Sequence, residues 1–138
     1  MTQEWICKTE DETAQIAARI ADNTTYPAVL CLHGDLGAGK TAFCRAFIRH
    51  ILQNPIETVP SPTYTLVQTY DDDQIWHFDL YRLEHAHELY DIGWEEALTS
   101  RLCLIEWPER LGHLKPQNSV DITLSTLENG ARRITVES

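Results

Sequence analysis

Apolar positions along this chain recur with two different periods. Ile16, Ala17, Ile20 and Ala21 fall on one face of a 3.6-residue repeat. Ahead of them, Thr9-Glu10-Asp11-Glu12 reads as a capping box, a hydroxyl followed three residues later by a carboxylate. A helix is therefore predicted over residues 10–22. Ala28-Val-Leu-Cys-Leu-His33 is a short apolar run that stops at a glycine and predicts a buried strand. After the Gly-rich segment 34–41, Ala42, Phe43, Ala46, Phe47, Ile48 and Ile51 return to the helical period until Pro55. Pro60-Ser61-Pro62 breaks the chain, and Tyr64 to Tyr70 and Gln74 to Leu80 predict two strands around an Asp71-Asp72-Asp73 turn. His85 to Asp91 reads as helical up to Gly93, and Trp94 to Leu98 as a short helix. Leu102-Cys-Leu-Ile105 is a second apolar run, ending on Glu106. Val120 to Leu124 and Arg132 to Val136 alternate apolar and polar residues, as a C-terminal hairpin would. Strands mixed with helices, opening on a strand–loop–helix unit, predict an α/β fold of the three-layer P-loop NTPase type, with a mostly parallel mixed sheet and an antiparallel hairpin.

Composition narrows the classes. At 138 residues the chain suits one domain. The longest apolar run, Ala28 to Leu32, is five residues, whereas a membrane helix needs about 20, so no membrane association is expected. The first residues carry no basic stretch ahead of an apolar one, so no secretory signal is expected either. Net charge is −10, from 21 acidic and 11 basic residues, which argues against avid direct binding to nucleic acid. Cys7, Cys31, Cys44 and Cys103 form no C-x-x-C pair. Reduced thiols in a cytoplasmic protein are expected, rather than a zinc ribbon or a redox dithiol.

The chemistry-bearing string is Gly34-Asp-Leu-Gly-Ala-Gly-Lys-Thr41, a complete G-x-x-x-x-G-K-T pattern. Glycines let the loop curl so that successive N–H groups, from Asp35, Leu36, Gly37, Ala38, Gly39 and on into Ala42, converge on one anion. The helix that follows adds the positive end of its dipole. Lys40 supplies a mobile point charge for terminal phosphates, and the Thr41 hydroxyl suits Mg²⁺. An apolar strand before the loop and an amphipathic helix after it give the string its proper setting, so nucleotide-phosphate binding is expected.

Such a loop needs an acid to hold magnesium, commonly at the C-terminal end of a neighbouring strand. Glu106 and Asp79 both qualify. The longer apolar run before Glu106 favours it for the Mg²⁺ shell, directly or through water; otherwise it is a strand-end surface carboxylate. Asp79 is the candidate for orienting or deprotonating the attacking water, or else it caps the segment after it. Ser61 or Thr63 suits a γ-phosphate sensor, or merely a turn ahead of a strand. Arg82 either reaches the phosphates or pairs with Glu84 or Glu88 on the surface. Trp107 is either a docking or stacking surface or a core-edge indole. His85 and His87, two residues apart, would not share a helical face, so no metal pair is expected. No N-K-x-D or D-x-x-G string supports guanine. A small nucleoside or metabolite kinase remains an alternative, as does a nucleotide-gated binding module.

Four motifs in order, Gly34–Thr41, Ser61-Pro-Thr-Tyr-Thr-Leu-Val67, His77-Phe-Asp-Leu-Tyr-Arg-Leu83 and Glu106-Trp-Pro108, resemble the bacterial TsaE family. The resemblance implies an ATPase required for N6-threonylcarbamoyladenosine at position 37 of tRNAs reading codons that begin with A. It further implies ATP and Mg²⁺ as cofactors and a TsaD–TsaB heterodimer as partner, with tRNA contacted mainly through those partners; without an assured arginine finger, hydrolysis by the protein alone is expected to be slow. The family's functional positions fall here on Lys40, Thr41, Asp79 and Glu106, with Trp107 in the same motif. Arg132 is a loose match to an arginine near the adenine.

Overall fold

The structure is a computed structural model that describes residues 2–138. Its order is β1 (Thr2–Cys7), α1 (Glu10–Asn23), β2 (Ala28–His33), α2 (Lys40–Leu52), β3 (Val67–Tyr70), β4 (Ile75–Asp79), a 3-10 segment Ala86–Ile92, α3 (Trp94–Leu98), β5 (Leu102–Glu106), a second 3-10 segment Pro108–Leu114, β6 (Val120–Thr126) and β7 (Arg132–Glu137). All seven strands join one sheet in the order β1-β7-β6-β2-β5-β4-β3. The middle four, β6, β2, β5 and β4, run parallel. Both flanks are antiparallel: the β6–β7–β1 wing on one side and the β3–β4 hairpin on the other.

The central strands read as continuous apolar runs because both faces are covered; every residue of β4 and β5 is buried. Alternation then sorts their side chains. Leu30, Leu32, Leu102, Leu104 and Ile122 face α1 and α2 and pack with Phe43, Phe47 and Ile48. Cys31, Trp76, Phe78, Cys103 and Ile105 face the other layer, with Leu89, Trp94 and Leu111. The Phe78 and Trp94 rings meet edge to face at 5.6 Å, a favoured aromatic geometry.

The hydroxyl half of the predicted α1 capping box forms, with Thr9 Oγ1 accepting from the Glu12 N–H at 3.1 Å, while the carboxylate half reaches one residue further back. The Glu12 carboxylate in turn accepts from the Lys8 N–H, at 2.9 Å. The Asp71–Asp73 turn closes with all three aspartates at positive φ, 56°, 52° and 61°, a region that Asp tolerates better than most residues. The four cysteines are free and buried. Among the described residues no helix is long and apolar enough to cross a membrane.

One expectation is corrected. The Tyr64-to-Tyr70 strand begins only at Val67, because Leu66 sits at φ 69°, outside the extended region, and residues 63–65 form a turn. The helical reading of His85 to Asp91 holds, as a 3-10 segment over Ala86–Ile92 that ends at Gly93. β1 has no counterpart in the sequence reading. As an edge strand with only Cys7 fully buried, it shows little periodic pattern.

Candidate functional site

The sheet brings three strand ends side by side. Leu32 of β2 pairs with Glu106 of β5, and Glu106 with Asp79 of β4. The Gly34–Thr41 loop leaves β2 at this edge, so loop and both carboxylates meet where α/β sheets bind ligands. A cleft of about 240 Å³ there is lined by Leu36 to Ala42, Thr63, Asp79, Glu106 and Trp107.

The loop's shape depends on two glycines in particular. Gly34 has φ 151°, and a Cβ there would lie 2.6 Å from the Leu124 carbonyl oxygen of β6. Gly39 has φ 100°, and a Cβ there would sit 3.0 Å from the Arg132 guanidinium. A side chain at Gly34 would push the loop off β6, whereas at Gly39 the left-handed φ itself disfavours one, since the Arg132 side chain can give way.

Lys40 opens α2 and is only 5% exposed. Its ammonium donates to the carbonyls of Gly34 and of Asp35, the latter at 3.2 Å. It also lies 3.6 Å from the centroid of the Trp107 ring, a cation–π contact. Burial lowers its pKa, and the carboxylates of Glu106, Glu109, Asp79 and Asp35 oppose that shift. Trp107 is half-buried at φ 59°, and its ring packs 5.0 Å from Tyr81. It is thus a wall of the cleft.

The two carboxylates are held differently. Glu106 is 2% exposed. Its Oε1 accepts from the Thr41 hydroxyl at 2.8 Å and its Oε2 lies 2.6 Å from His77 Nε2. Asp79 is 3% exposed. Its Oδ2 accepts from the Thr63 hydroxyl at 2.9 Å, and its Oδ1 from the Tyr81 backbone N–H at 3.0 Å. The capping role and a place in the cleft therefore coexist on one carboxylate. Ser61 Oγ lies 2.7 Å from Thr63 Oγ1, extending the chain of hydroxyls to the surface.

The remaining candidates lie around the cleft. Asp35 faces a neighbouring groove beside β6. Arg132 stands behind the loop at Gly39. Arg82 lies over the Tyr64 ring at 4.8 Å, not against Glu88, whose carboxylate accepts from the Glu84 and His85 N–H groups. Among the described residues no arginine lines the cleft. The His85 and His87 rings do stack, at 5.5 Å. That is possible because His85 precedes the 3-10 segment in extended geometry.

The sequence reading gave no role to His77. The signal was there: in Ile75-Trp-His-Phe-Asp79 a histidine two residues before the aspartate shares its face of the strand. The ligand atoms of Cys44, His77 and Glu106 lie within 4.8 Å of one another, all buried. Burial pushes the Cys44 thiol well above the ordinary range. The 2.6 Å contact between His77 and Glu106 is a hydrogen bond and leaves no room for a cation between them.

Chemically, a concave loop of backbone donors beside an ammonium suits a phosphate. A hydroxyl backed by two carboxylates is a hard-oxygen set of the kind magnesium takes.

Residues 7–134 match the model of the family described as "Threonylcarbamoyl adenosine biosynthesis protein TsaE". A tRNA threonylcarbamoyladenosine biosynthesis protein TsaE of Rickettsia felis is 40% identical over 129 residues, covering 92% of this chain and 75% of that one. Its namesake in Bacillus subtilis is 34% identical over 134 residues, covering 95% and 82%. The crystal structure of Bacillus subtilis YdiB matches with a TM-score of 0.79 at 28% identity, covering 99% of this chain and 84% of that chain.

Proposed function

This chain belongs to the TsaE family of threonylcarbamoyladenosine biosynthesis proteins, and from that premise we propose that it is a Mg²⁺-dependent ATPase that acts through a TsaD–TsaB complex to modify position 37 of tRNAs reading codons that begin with A. The observation that carries the reading is the convergence of Lys40, Thr41, Asp79 and Glu106 on one cleft at the end of three adjacent strands.

In this reading the loop N–H groups from Asp35 to Ala42 and the Lys40 ammonium bind the phosphates. Magnesium, when bound, neutralises phosphate charge and orients the terminal phosphate. Thr41 and Glu106 would hold it, and their hard-oxygen donors fit that ion. Asp79 orients the attacking water and accepts its proton at Oδ2, the oxygen that Thr63 now occupies. Arg132 backs the loop near Gly39. With no arginine lining the cleft among the described residues, hydrolysis by the protein alone is slow. An arginine supplied at the terminal phosphate is worth about 10³–10⁵ in rate, and a partner is its natural source. The net charge of −10 fits a protein that leaves tRNA to its partners. Ser61, Thr63 and Arg82, on the segments bordering the cleft, are candidates for relaying the partner's state.

The test is threonylcarbamoyl-tRNA formation over many turnovers with TsaD, TsaB, the threonylcarbamoyl-adenylate synthase and ATP. Wild type should sustain repeated rounds, while Lys40→Ala and Asp79→Ala should not. Equal turnover with all three proteins, or with none, would overturn the reading and turn the search to small phosphate acceptors.

A further inference from the structure

His77 sits at the centre of β4, where an apolar side chain would fill the same space with no polar atom to satisfy. It is fully buried, as is Glu106 to within 2%. Their 2.6 Å contact is the only hydrogen bond His77's ring makes among the described residues; Nδ1 is buried without a partner. An acceptor faces Nε2 and none faces Nδ1, so the geometry puts a donor proton on Nε2, directed at Glu106 Oε2. Glu106 has its other oxygen on Thr41. Without His77, one hydroxyl would have to fix a side chain with three rotatable bonds. With it, the carboxylate is gripped from α2 on one side and from β4 on the other. The buried Cys44 thiol lies within 4.8 Å of both groups.

We propose that His77 is a positioning residue that holds Glu106 by its Oε2 so that the Oε1 edge, with Thr41, is preset for the metal ion. The proposal rests on the magnesium reading above and adds a residue to it. Groups that orient metal-holding side chains typically matter by about 10- to 100-fold in metal affinity.

The test measures Mn²⁺, standing in for Mg²⁺, by paramagnetic resonance on the full chain bound to a non-hydrolysable β,γ-imido ATP analogue. His77→Phe keeps the ring volume and removes the donor. It should weaken Mn²⁺ binding by about 10-fold or more, while analogue binding in chelator stays near wild type. A glutamine amide nitrogen reaches the place of Nε2, an asparagine one that of Nδ1. His77→Gln should therefore recover most of the affinity, and His77→Asn should behave like His77→Phe.

Wild-type Mn²⁺ affinity in His77→Phe would overturn the proposal and leave the magnesium reading standing. Equal losses in the Gln and Asn variants would also overturn it, since that is how a packing residue behaves. No Mn²⁺ binding by wild type would overturn both. Should the variants fail to fold, nitrogen-15 spectra of the wild-type imidazoles decide. A proton on Nε2 supports the proposal, and one on Nδ1 alone overturns it.

Discussion

Glu106 and Asp79 end neighbouring parallel strands and face each other in register, yet they are mounted in opposite ways. Glu106 is gripped by Thr41 on a helix and His77 on a fully buried strand. Asp79 is gripped by Thr63, on an irregular segment, and by the backbone two residues downstream. Around Glu106, His77 and Cys44 are fully buried and Thr41 is half-buried. Around Thr63 the chain surfaces: Ser61 is exposed and Tyr64 is 82% exposed. A group held by packed helix and strand keeps its geometry, whereas a group held by an exposed segment moves whenever that segment does. The arrangement separates a fixed half suited to binding from an adjustable half suited to control.

The comparison is most exposed to failure at Lys40, where the largest effect belongs. Removing a buried charge that pairs with a ligand's charge costs about 2–5 kcal/mol. Lys40→Ala should thus weaken binding of a fluorescent ADP by roughly 30-fold or more. Affinity within a few-fold of wild type would mean that the buried half is not the binding half. Asp79→Asn comes next. The amide oxygen still accepts the Tyr81 N–H, so the local turn survives while the charge is lost. ADP affinity should stay within about threefold, and partner-supported turnover should fall by about 10²–10⁴, the usual worth of a positioned base. A matching loss of affinity would show that the two carboxylates share one task.

The same division explains what the sequence disclosed. The buried half was legible because strands covered on both faces read as unbroken apolar runs, and the loop between β2 and α2 has a fixed spelling. Glu106 stood out simply by ending such a run. The rest was hidden for identifiable reasons. Tyr64 to Leu66 carry strand-like side chains, but a positive φ at Leu66 delays β3 to Val67. β1 lies at the sheet's edge with one buried residue, so no period marks it. The partnership of His77 with Glu106 spans 29 positions and depends on β4 lying beside β5, which no local pattern states. Arg82 has Glu84 and Glu88 as sequence neighbours, whereas its ring contact is Tyr64, brought close by the fold.

Thr63 offers the finest test, because its hydroxyl binds the strand-end carboxylate itself, beside the backbone bond from Asp79 N–H to the Leu66 carbonyl. Thr63→Val keeps the shape and deletes the hydroxyl that binds Asp79 Oδ2. One hydrogen bond is worth about 0.5–1.5 kcal/mol net, so turnover should fall by roughly 2- to 12-fold. Nucleotide affinity and melting temperature should hold near wild type, since the cost falls on a segment outside the packed core. The loss should also shrink when saturating partner is present, because a docked partner can hold the segment in place of the hydroxyl. A loss unaffected by partner would mean that Thr63 positions Asp79 outright. The adjustable half would then be as fixed as the half beneath it.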